Sequence, residues 1–212
     1  MKIQCWAQMP FCSELLQFFI SSHDDCYGVS FDEPSVQKNW RIIFHENIDE
    51  SVKIEDVKKL IPEPSEISST PILNSVPLEF VQSLSYIKTD DYRMNALVQS
   101  AVKEIIQEDT EKDLYDLLGD EKENRYASEI YNMLSENKNY LLGYPSFIQY
   151  DVREYMDEKE ASYYDTTLLH LDSLCCDDIM CWGDAGCANF LINSEALQNR
   201  DFSKVYYTWD CT

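Results

Sequence analysis

Carboxylates are the side chains of this sequence best placed to do chemistry. Four aspartates flank predicted turns in the last quarter of the chain: Asp172, Asp177, Asp178 and Asp184. Clustered carboxylate oxygens bind Ca²⁺ or Mg²⁺, but no segment has the alternating ligands and terminal glutamate of a calcium loop. Because aspartate is also a common turn residue, turn formation is the favoured interpretation and a metal or acid–base role is the alternative. We therefore predict neither a resident metal nor a cofactor.

Histidines are the candidate bases. His170 lies in a predicted strand, at the position that Gln17 takes in a similar strand near the start of the chain. Two polar groups at equivalent positions could converge in a cleft between the two halves, although a hydrogen-bonded core histidine is the more common case. No Gly-x-Ser-x-Gly or Cys–His signature accompanies the histidines, so we assign no catalytic residue. The candidate binding cleft contains Gln17, Gln149, His170, Asp172, Trp182 and Asp184.

The chain has eight cysteines, and four of them are close together in sequence: Cys175, Cys176, Cys181 and Cys187. Structural zinc ligands typically come in pairs about two to four residues apart, and these four do not have that spacing. We interpret them as small buried apolar residues, with a redox or zinc role as the alternative. No secretory signal is visible, so we expect a cytoplasmic protein whose thiols stay reduced.

The composition excludes several partners. The 212 residues carry a net charge of −22, from 39 acidic and 17 basic side chains. Nucleic-acid affinity depends on lysine and arginine contacts to phosphate, and an anionic membrane surface would repel such a chain; we predict neither partner. Hydrophobic residues make up 44% of the chain, which is enough to build a core. The charge instead favours a basic protein or peptide as partner.

Tyrosines are numerous, with 14 in the chain. Five of them crowd one region: Tyr144, Tyr150, Tyr155, Tyr163 and Tyr164. Tyrosine is favoured where one end of the side chain is apolar and the other is wet, as in protein interfaces. Ordinary packing in the core and at its rim is the alternative interpretation.

Strands are predicted at both ends of the chain. Near the start, apolar alternation favours strands over residues 15–20, 27–31 and 40–44. Near the end, residues 146–150 form a predicted strand, and residues 166–210 have the pattern of strand, tight turn, strand, connection and strand. The polar residues between these segments supply the turns.

Helices are predicted between these ends, where apolar residues recur at helical spacing. The clearest helix spans about residues 90–106, and a second spans residues 126–134 with Asn137 as its stop signal. Shorter helices are favoured within residues 50–60 and 113–118. We expect the helices to cover one face of a sheet. Two further segments are not helical in this interpretation: the proline-punctuated connector of residues 61–77 and a solvated loop over residues 157–164.

The two ends of the chain resemble each other. Three blocks recur in the same order: residues 15–21 and 168–173, residues 24–28 and 178–183, and residues 40–45 and 203–208. This order indicates an internal repeat, in which one β unit is used twice. The alternative is chance, since any two β-hairpins look somewhat alike.

The predicted fold class is α+β, with a single domain. Two related antiparallel β units form the domain, and helices are inserted between them. The first β unit comprises residues 1–60, the helical insertion residues 77–138, and the second β unit residues 140–212.

Several segments resemble the YwqG-like family, a family named for a domain of unknown function (domain of unknown function 1963). The resembling segments are residues 142–149, 168–173, 182–190 and 199–205. The resemblance extends over most of the chain and implies a mixed α and β protein, with no established activity and no assigned catalytic residues. Family members begin earlier, with a Gly-Gly-x-Pro-Tyr-like segment. The resemblance therefore implies a member shortened at the N-terminus, whose first unit is short of an edge strand.

Two functions are consistent with these features. The first is a cytoplasmic, non-catalytic binding protein that recognises a basic protein or peptide through an acidic, tyrosine-rich surface. The alternative is a carboxylate- or metal-dependent hydrolase, with a site between the two β units that uses His170, Asp172 and Asp184. This alternative requires the three side chains to lie within hydrogen-bond or ligand distance of one another.

Overall fold

Two antiparallel sheets of three strands each organise the protein and confirm the α+β class. The computed structural model describes residues 2–8, 14–59, 69–107, 109–119, 125–134 and 139–212. The first sheet has the order β1 (Lys2–Gln8), β2 (Leu15–Ser21) and β3 (Arg41–His45). The second has the order β4 (Thr166–Asp172), β5 (Cys187–Ile192) and β6 (Tyr206–Asp210). The expectation that the first unit is short of an edge strand stays a prediction.

The core lies between the two sheets, which pack face to face. In β2 the alternate side chains of Leu16, Phe18 and Ile20 belong to this core, as the two-residue period of a strand requires. All six residues of β5 are buried, and the Phe190 ring lies 5.1 Å from that of Phe18. Trp40 is fully buried, with its ring 5.9 Å from Phe190. The two β units therefore share one apolar core.

Two predicted strands are wrong, because local turns replace them. Residues 27–31 begin with Tyr27 and Gly28 at φ angles of +51° and +92°, in the left-handed region that interrupts an extended strand. Residues 146–150 form bends and irregular structure. There the N–H groups of Ile148 and Gln149 donate to the Asp210 carboxylate at 2.8 and 2.7 Å, instead of to a neighbouring strand.

Six helices occur in the described residues, and the sequence predicts the first four. They are α1 (Ile54–Lys58), α2 (Met94–Ile106), α3 (Leu114–Leu118), α4 (Arg125–Leu134), α5 (Glu158–Tyr163) and α6 (Ser194–Gln198). Helix α5 replaces the loop predicted over residues 157–164. It begins after Asp157, whose carboxylate accepts a hydrogen bond from the Glu160 N–H at 2.9 Å and so caps the helix. Asn137, the predicted stop signal of α4, lies outside the described residues.

That α2 to α4 cover one face of a sheet stays a prediction. Among the described residues, neither apolar cluster of the interior contains a side chain from these helices. Leu97 and Ile105 on the apolar side of α2 are exposed. The outer face of the second sheet is covered by residues 139–164, where Phe147 packs against Leu191 of β5.

The internal repeat stays a prediction. Gly28 and Gly183 both follow a buried aromatic residue and both have positive φ, in keeping with the matched blocks. However, residues 27–31 form turns, so no strand follows Gly28 as β5 follows Gly183, and β2 pairs directly with β3. The match of residues 15–21 with residues 168–173 therefore equates a central strand with one at the edge of its sheet.

The cysteines differ from the expectation of reduced, buried thiols. Cys175 and Cys181 form a disulfide, and both residues are partly exposed. Cys176 is an exposed free thiol, whereas Cys187 is buried in β5. The interpretation as small buried residues is therefore confirmed for Cys187 and wrong for the other three.

Candidate functional site

Gln17 and His170 lie on opposite sides of the core. Gln17 is on the outer face of the first sheet, where its Oε1 lies 2.8 Å from His45 Nε2. His170 and Asp172 are on the outer face of the second sheet, opposite Asn189 and Cys187 of β5. The apolar core occupies the space between the two sheets. The six candidate residues therefore do not converge in a cleft between the β units.

The other three candidates differ in burial, since one is buried and two are exposed. Trp182 is fully buried in the core, with its ring 5.7 Å from that of Tyr27. Asp184 is exposed in the turn before β5. Gln149 is exposed, and its Nε2 donates to the carbonyl oxygen of Cys211 at 2.6 Å. Of the six candidates, only His170 and Asp172 are neighbours on one face of a strand.

His170 lies in a buried polar cluster on the outer face of the second sheet. Its Nδ1 is 2.8 Å from Asn189 Oδ1, and its ring stacks on Tyr140 with centroids 4.6 Å apart. Asn189 Nδ2 donates to the carbonyl oxygen of Ser146 at 2.7 Å. His170 Nε2 has no hydrogen-bond partner among the described residues. Burial, assisted by the charge of Lys88, lowers the pKa of His170 to about 4, so the ring is neutral at pH 7.

Cys187 lies beside this cluster. Its thiol is 3.3 Å from Asp210 Oδ1 and 3.4 Å from the carbonyl oxygen of Ser146, both of which are hydrogen-bond acceptors. Burial and the negative charge of Asp210 raise the pKa of the Cys187 thiol far above its ordinary value. The thiolate is the reactive form of cysteine. Cys187 is therefore a neutral, hydrogen-bonded and unreactive thiol at pH 7.

The cluster contains the residue types of a cysteine nucleophile and its base. Such a nucleophile requires a base that accepts the thiol proton. Cys187 donates to oxygens instead, and His170 Nδ1 is engaged with Asn189. Each of the three side chains is at most 1% exposed, so a substrate cannot reach them. The geometry is that of a structural polar cluster.

The turn before α2 adds charged groups to the same face. Asp90 accepts a hydrogen bond from the Phe147 N–H, and burial raises the pKa of its carboxyl to about 6. Asp172 is partly buried, and burial raises its pKa too. Lys88 is only 7% exposed, and its charge acts on both His170 and Asp172. Lys88 lies before the predicted helix and Asp90 at its very start, and only their long-range contacts place them at this cluster.

An ion-pair network holds this turn against the covering layer. Arg153 Nη2 donates to Asp91 at 2.9 Å and to Asp151 at 2.6 Å, and all three side chains are fully buried. The Arg153 guanidinium also lies 4.7 Å from the centre of the Tyr92 ring. Asp151 accepts a further hydrogen bond from the Tyr92 N–H at 3.0 Å. The network therefore fixes Lys88 and Asp90 next to the second sheet.

The described residues offer little support for a metal centre. Within the described ranges, no group of three or more histidine, cysteine, aspartate or glutamate side chains is arranged to hold a metal ion. His170 is buried, whereas Asp184 is exposed in a turn. The three residues of the hydrolase hypothesis therefore do not share one environment.

An exposed apolar segment, residues 73–86, is a surface feature that was not predicted from the sequence. Val81 and Leu84 are each 80% exposed. The segment has no regular structure, and residues 75–84 have no hydrogen-bond partner within the described part of the chain. The other large apolar side chains are between 43% and 51% exposed: Leu73, Val76, Leu78, Phe80 and Tyr86. The alternation of Val76, Leu78 and Phe80 was the available signal.

Both ends of the apolar segment are anchored. The Leu73 N–H donates to the carbonyl oxygen of Ile179 at 2.9 Å. At the other end, Ser85 Oγ accepts a hydrogen bond from the Tyr144 N–H at 3.1 Å. The apolar segment is therefore fixed at its two ends, and between them it forms no hydrogen bond to the described residues.

The tyrosine cluster is divided between surface and core. Tyr150 and Tyr155 are exposed, with ring centroids 5.1 Å apart. Tyr164 is 1% exposed, and Tyr144 and Tyr163 are partly buried. Of the five tyrosines, two are therefore exposed at the surface.

The fold and these sites define an α+β protein of two three-stranded meanders with a buried polar cluster. Residues 4–211 match the family DUF1963, described as a domain of unknown function. The chain belongs to this family, which confirms the resemblance drawn from the sequence. No curated protein matches the chain. In the part of the chain that the structure describes, none of the helices has the length and apolar character needed to cross a membrane.

Proposed function

We propose that this protein is a binding protein that takes a basic protein or peptide along its apolar segment. The observation that carries the proposal is the exposure of this segment on a chain of net charge −22. Exposed apolar stretches of this kind mark sites of interaction. The buried cluster around His170 offers no such access.

The backbone of the apolar segment suits an extended partner. Residues 75–84 leave their N–H and C=O groups unpaired within the described structure, apart from Pro77, which has no N–H. An added strand gains main-chain hydrogen bonds from such a segment, and alternate side chains supply the specificity. Because Leu73 and Ser85 are anchored, less conformational freedom is lost on binding than for a free loop.

Charge selects a basic partner over a second copy of this chain. Two copies would bring net charges of −22 together, and like charges oppose association. Within residues 73–86 the only charged side chain is Glu79, so the contact itself is apolar while the rest of the surface attracts cations. Such an arrangement steers a partner whose apolar residues are flanked by lysine or arginine.

A pair of peptides tests this function. The probe is a fluorescein-labelled peptide of alternating lysine and valine, and the comparison peptide replaces each valine by serine at the same charge. By fluorescence anisotropy in 0.15 M salt, we expect the lysine–valine peptide to bind about tenfold more tightly, because only it contacts the apolar segment.

Variants of the protein locate the contact. The double substitution Val81→Ser and Leu84→Ser should reduce the affinity for the lysine–valine peptide by about tenfold. Phe31→Ser is the matched control, since Phe31 is 82% exposed but lies outside the segment. If both peptides bind equally and the double variant binds like the unmodified protein, the attraction is only electrostatic and the proposal fails.

The hydrolase alternative is not proposed, because the described residues place His170 and Asp184 in separate surroundings. The cytoplasm remains the predicted compartment. In that compartment cellular thiols reduce exposed disulfides, and the Cys175–Cys181 disulfide is partly exposed.

A further inference from the structure

The loop of residues 175–181 is closed by an accessible disulfide. Cys175 and Cys181 are bonded, and both are partly exposed. Cys176, next to the bond, is exposed with a free thiol. A reductant in solution can therefore reach this loop, in contrast to the buried thiol of Cys187.

This loop is the platform on which residues 71–74 dock. The Cys181 N–H donates to the carbonyl oxygen of Pro71 at 2.7 Å, and the Leu73 N–H donates to Ile179 at 2.9 Å. Asn74 Nδ2 adds a hydrogen bond to the carbonyl oxygen of Asp178 at 2.6 Å. All three contacts fall within the seven residues that the disulfide encloses, so the shape of the loop and the docking of residues 71–74 are coupled.

We infer that Cys175 and Cys181 form a thiol–disulfide exchange site for a dithiol reductant, and that reduction loosens the docking of residues 71–74. One thiolate of the reductant attacks a sulfur of the pair, the S–S bond breaks, and the displaced sulfur leaves as a thiolate that takes up a proton. The second thiol of the reductant, as its thiolate, then attacks the reductant's own sulfur in the mixed disulfide and displaces the other cysteine as a thiolate, which takes up a second proton. The protein gains two electrons and two protons, and the dithiol becomes a cyclic disulfide.

The predicted cytoplasmic compartment and the chemistry of the disulfide agree with this role. Disulfides in reducing compartments are mostly transient and regulatory. A short loop that loses its cross-link gains conformational freedom, and here that freedom reaches the hydrogen bonds of Leu73 and Asn74. Residues 71–74 include the first two residues of the apolar segment, so reduction would also loosen the anchor at that end of the segment. This last consequence rests on the proposed binding function, whereas the exchange site itself does not.

Hydrogen exchange with mass spectrometry on the full chain tests the inference. The protein is purified without reductant and compared before and after treatment with dithiothreitol. Reduction should speed exchange in the peptide that contains Leu73 and Asn74 on the order of tenfold. A peptide from Cys187–Ile192 should not change. Alkylation in the native state should label Cys175 and Cys181 only after dithiothreitol.

Two variants complete the test. The double substitution Cys175→Ser and Cys181→Ser should exchange fast from the start and show no response to dithiothreitol. Cys176→Ser should respond like the unmodified protein, because it leaves the bond in place. Equal exchange of residues 71–74 in the oxidised and reduced protein would overturn the coupling, and alkylation of Cys175 and Cys181 without reductant would overturn the site. Both readouts are independent of peptide binding, so a failure here is distinct from a failure of the proposed function.

Discussion

Arg153 donates hydrogen bonds to Asp91 and Asp151 while all three side chains are withdrawn from water. Burial acts to raise the pKa of Asp91, but the hydrogen bonds from Arg93 and the charge of Arg153 outweigh it, and the pKa lies below its ordinary value. The Asp91 carboxylate is therefore charged at pH 7, and its charge is compensated by the two guanidinium groups. Loss of one partner from a buried ion pair leaves the other charge without solvent or counter-charge.

The substitution Arg153→Ala should destabilise the protein by about 3–5 kcal/mol, because it leaves the buried Asp151 carboxylate without its guanidinium partner, whereas Asp91 keeps its ion pair with Arg93. The measurement is the free energy of unfolding from urea titration. Arg200→Ala is the control, since Arg200 pairs with Glu14 at the surface and is 55% exposed. The control should lose about 1 kcal/mol or less. Equal losses in the two variants would show that the buried network adds no stability of its own.

His170 makes stability depend on pH. Its pKa is 6.5 in an unfolded chain and about 4 in the folded protein, because burial disfavours the imidazolium. Between these values the unfolded chain binds a proton that the folded protein does not. The contribution of His170 to the stability of the folded protein is therefore fully present above pH 6.5 and is lost as the pH falls towards 4. Asp90, with its pKa raised to about 6 by burial, acts in the opposite direction over much of this range.

The substitution His170→Gln separates these two effects. Glutamine has no titratable group and retains an amide that can bond Asn189, and Asp90 is present in both proteins. The difference in unfolding free energy between unmodified protein and variant should therefore shrink by about 2 kcal/mol from pH 7.5 to pH 5. Urea titrations at both pH values measure it. A difference that does not vary with pH would mean that His170 titrates alike in the folded and unfolded chain.

At the scale of elements, strands β5 and β6 approach each other closely at one end. A Cβ at Gly186, just before β5, would lie 1.9 Å from the carbonyl oxygen of Asp210 at the end of β6. The Gly186 carbonyl oxygen also accepts the hydroxyl hydrogen bond of Ser173 at 2.7 Å. The backbone at this position is therefore held on both sides, and it cannot move away from an added methyl group.

The substitution Gly186→Ala should destabilise the protein by about 3 kcal/mol or more, through overpacking against backbone. Gly119→Ala is the matched control. At Gly119 no atom of the described residues lies within 4 Å of an added Cβ, so the strain of its φ of +72° and ψ of −168° remains, in a region almost confined to glycine, at about 1–3 kcal/mol. Thermal or urea unfolding measures both. If the two variants were equally stable, the close approach of β5 and β6 would not limit the residue before β5.

The elements that the sequence predicts correctly depend on local pattern. Period-two alternation located β2 and placed His170 and Asp172 on one face of β4. Long-range contacts decided the rest. The amides of Ile148 and Gln149 bond a carboxylate about sixty residues away in place of a strand partner. Lys88 reaches the His170 cluster only through the tertiary fold. No window of neighbouring residues contains that information.

At the scale of the whole molecule, the net charge and the apolar segment have opposite effects on self-association. A charge of −22 keeps copies of the chain apart. Val81 and Leu84, each 80% exposed, would otherwise favour self-association. Salt weakens only the first effect, because the screening length falls to about 3 Å in 1 M salt. The balance between them can therefore be shifted without changing the sequence.

Sedimentation velocity at pH 7.5 should detect monomers in 0.02 M salt and weak self-association in 1 M salt, since screened charges no longer oppose apolar contact. The double substitution Val81→Ser and Leu84→Ser should remain monomeric at both salt concentrations. Phe31→Ser should associate like the unmodified protein, because it leaves the apolar segment intact. Salt-induced association that persists in the double variant would mean that another surface self-associates, for example the exposed Leu97 and Ile105 of α2. The basic partner proposed for residues 73–86 would then lose its physical basis.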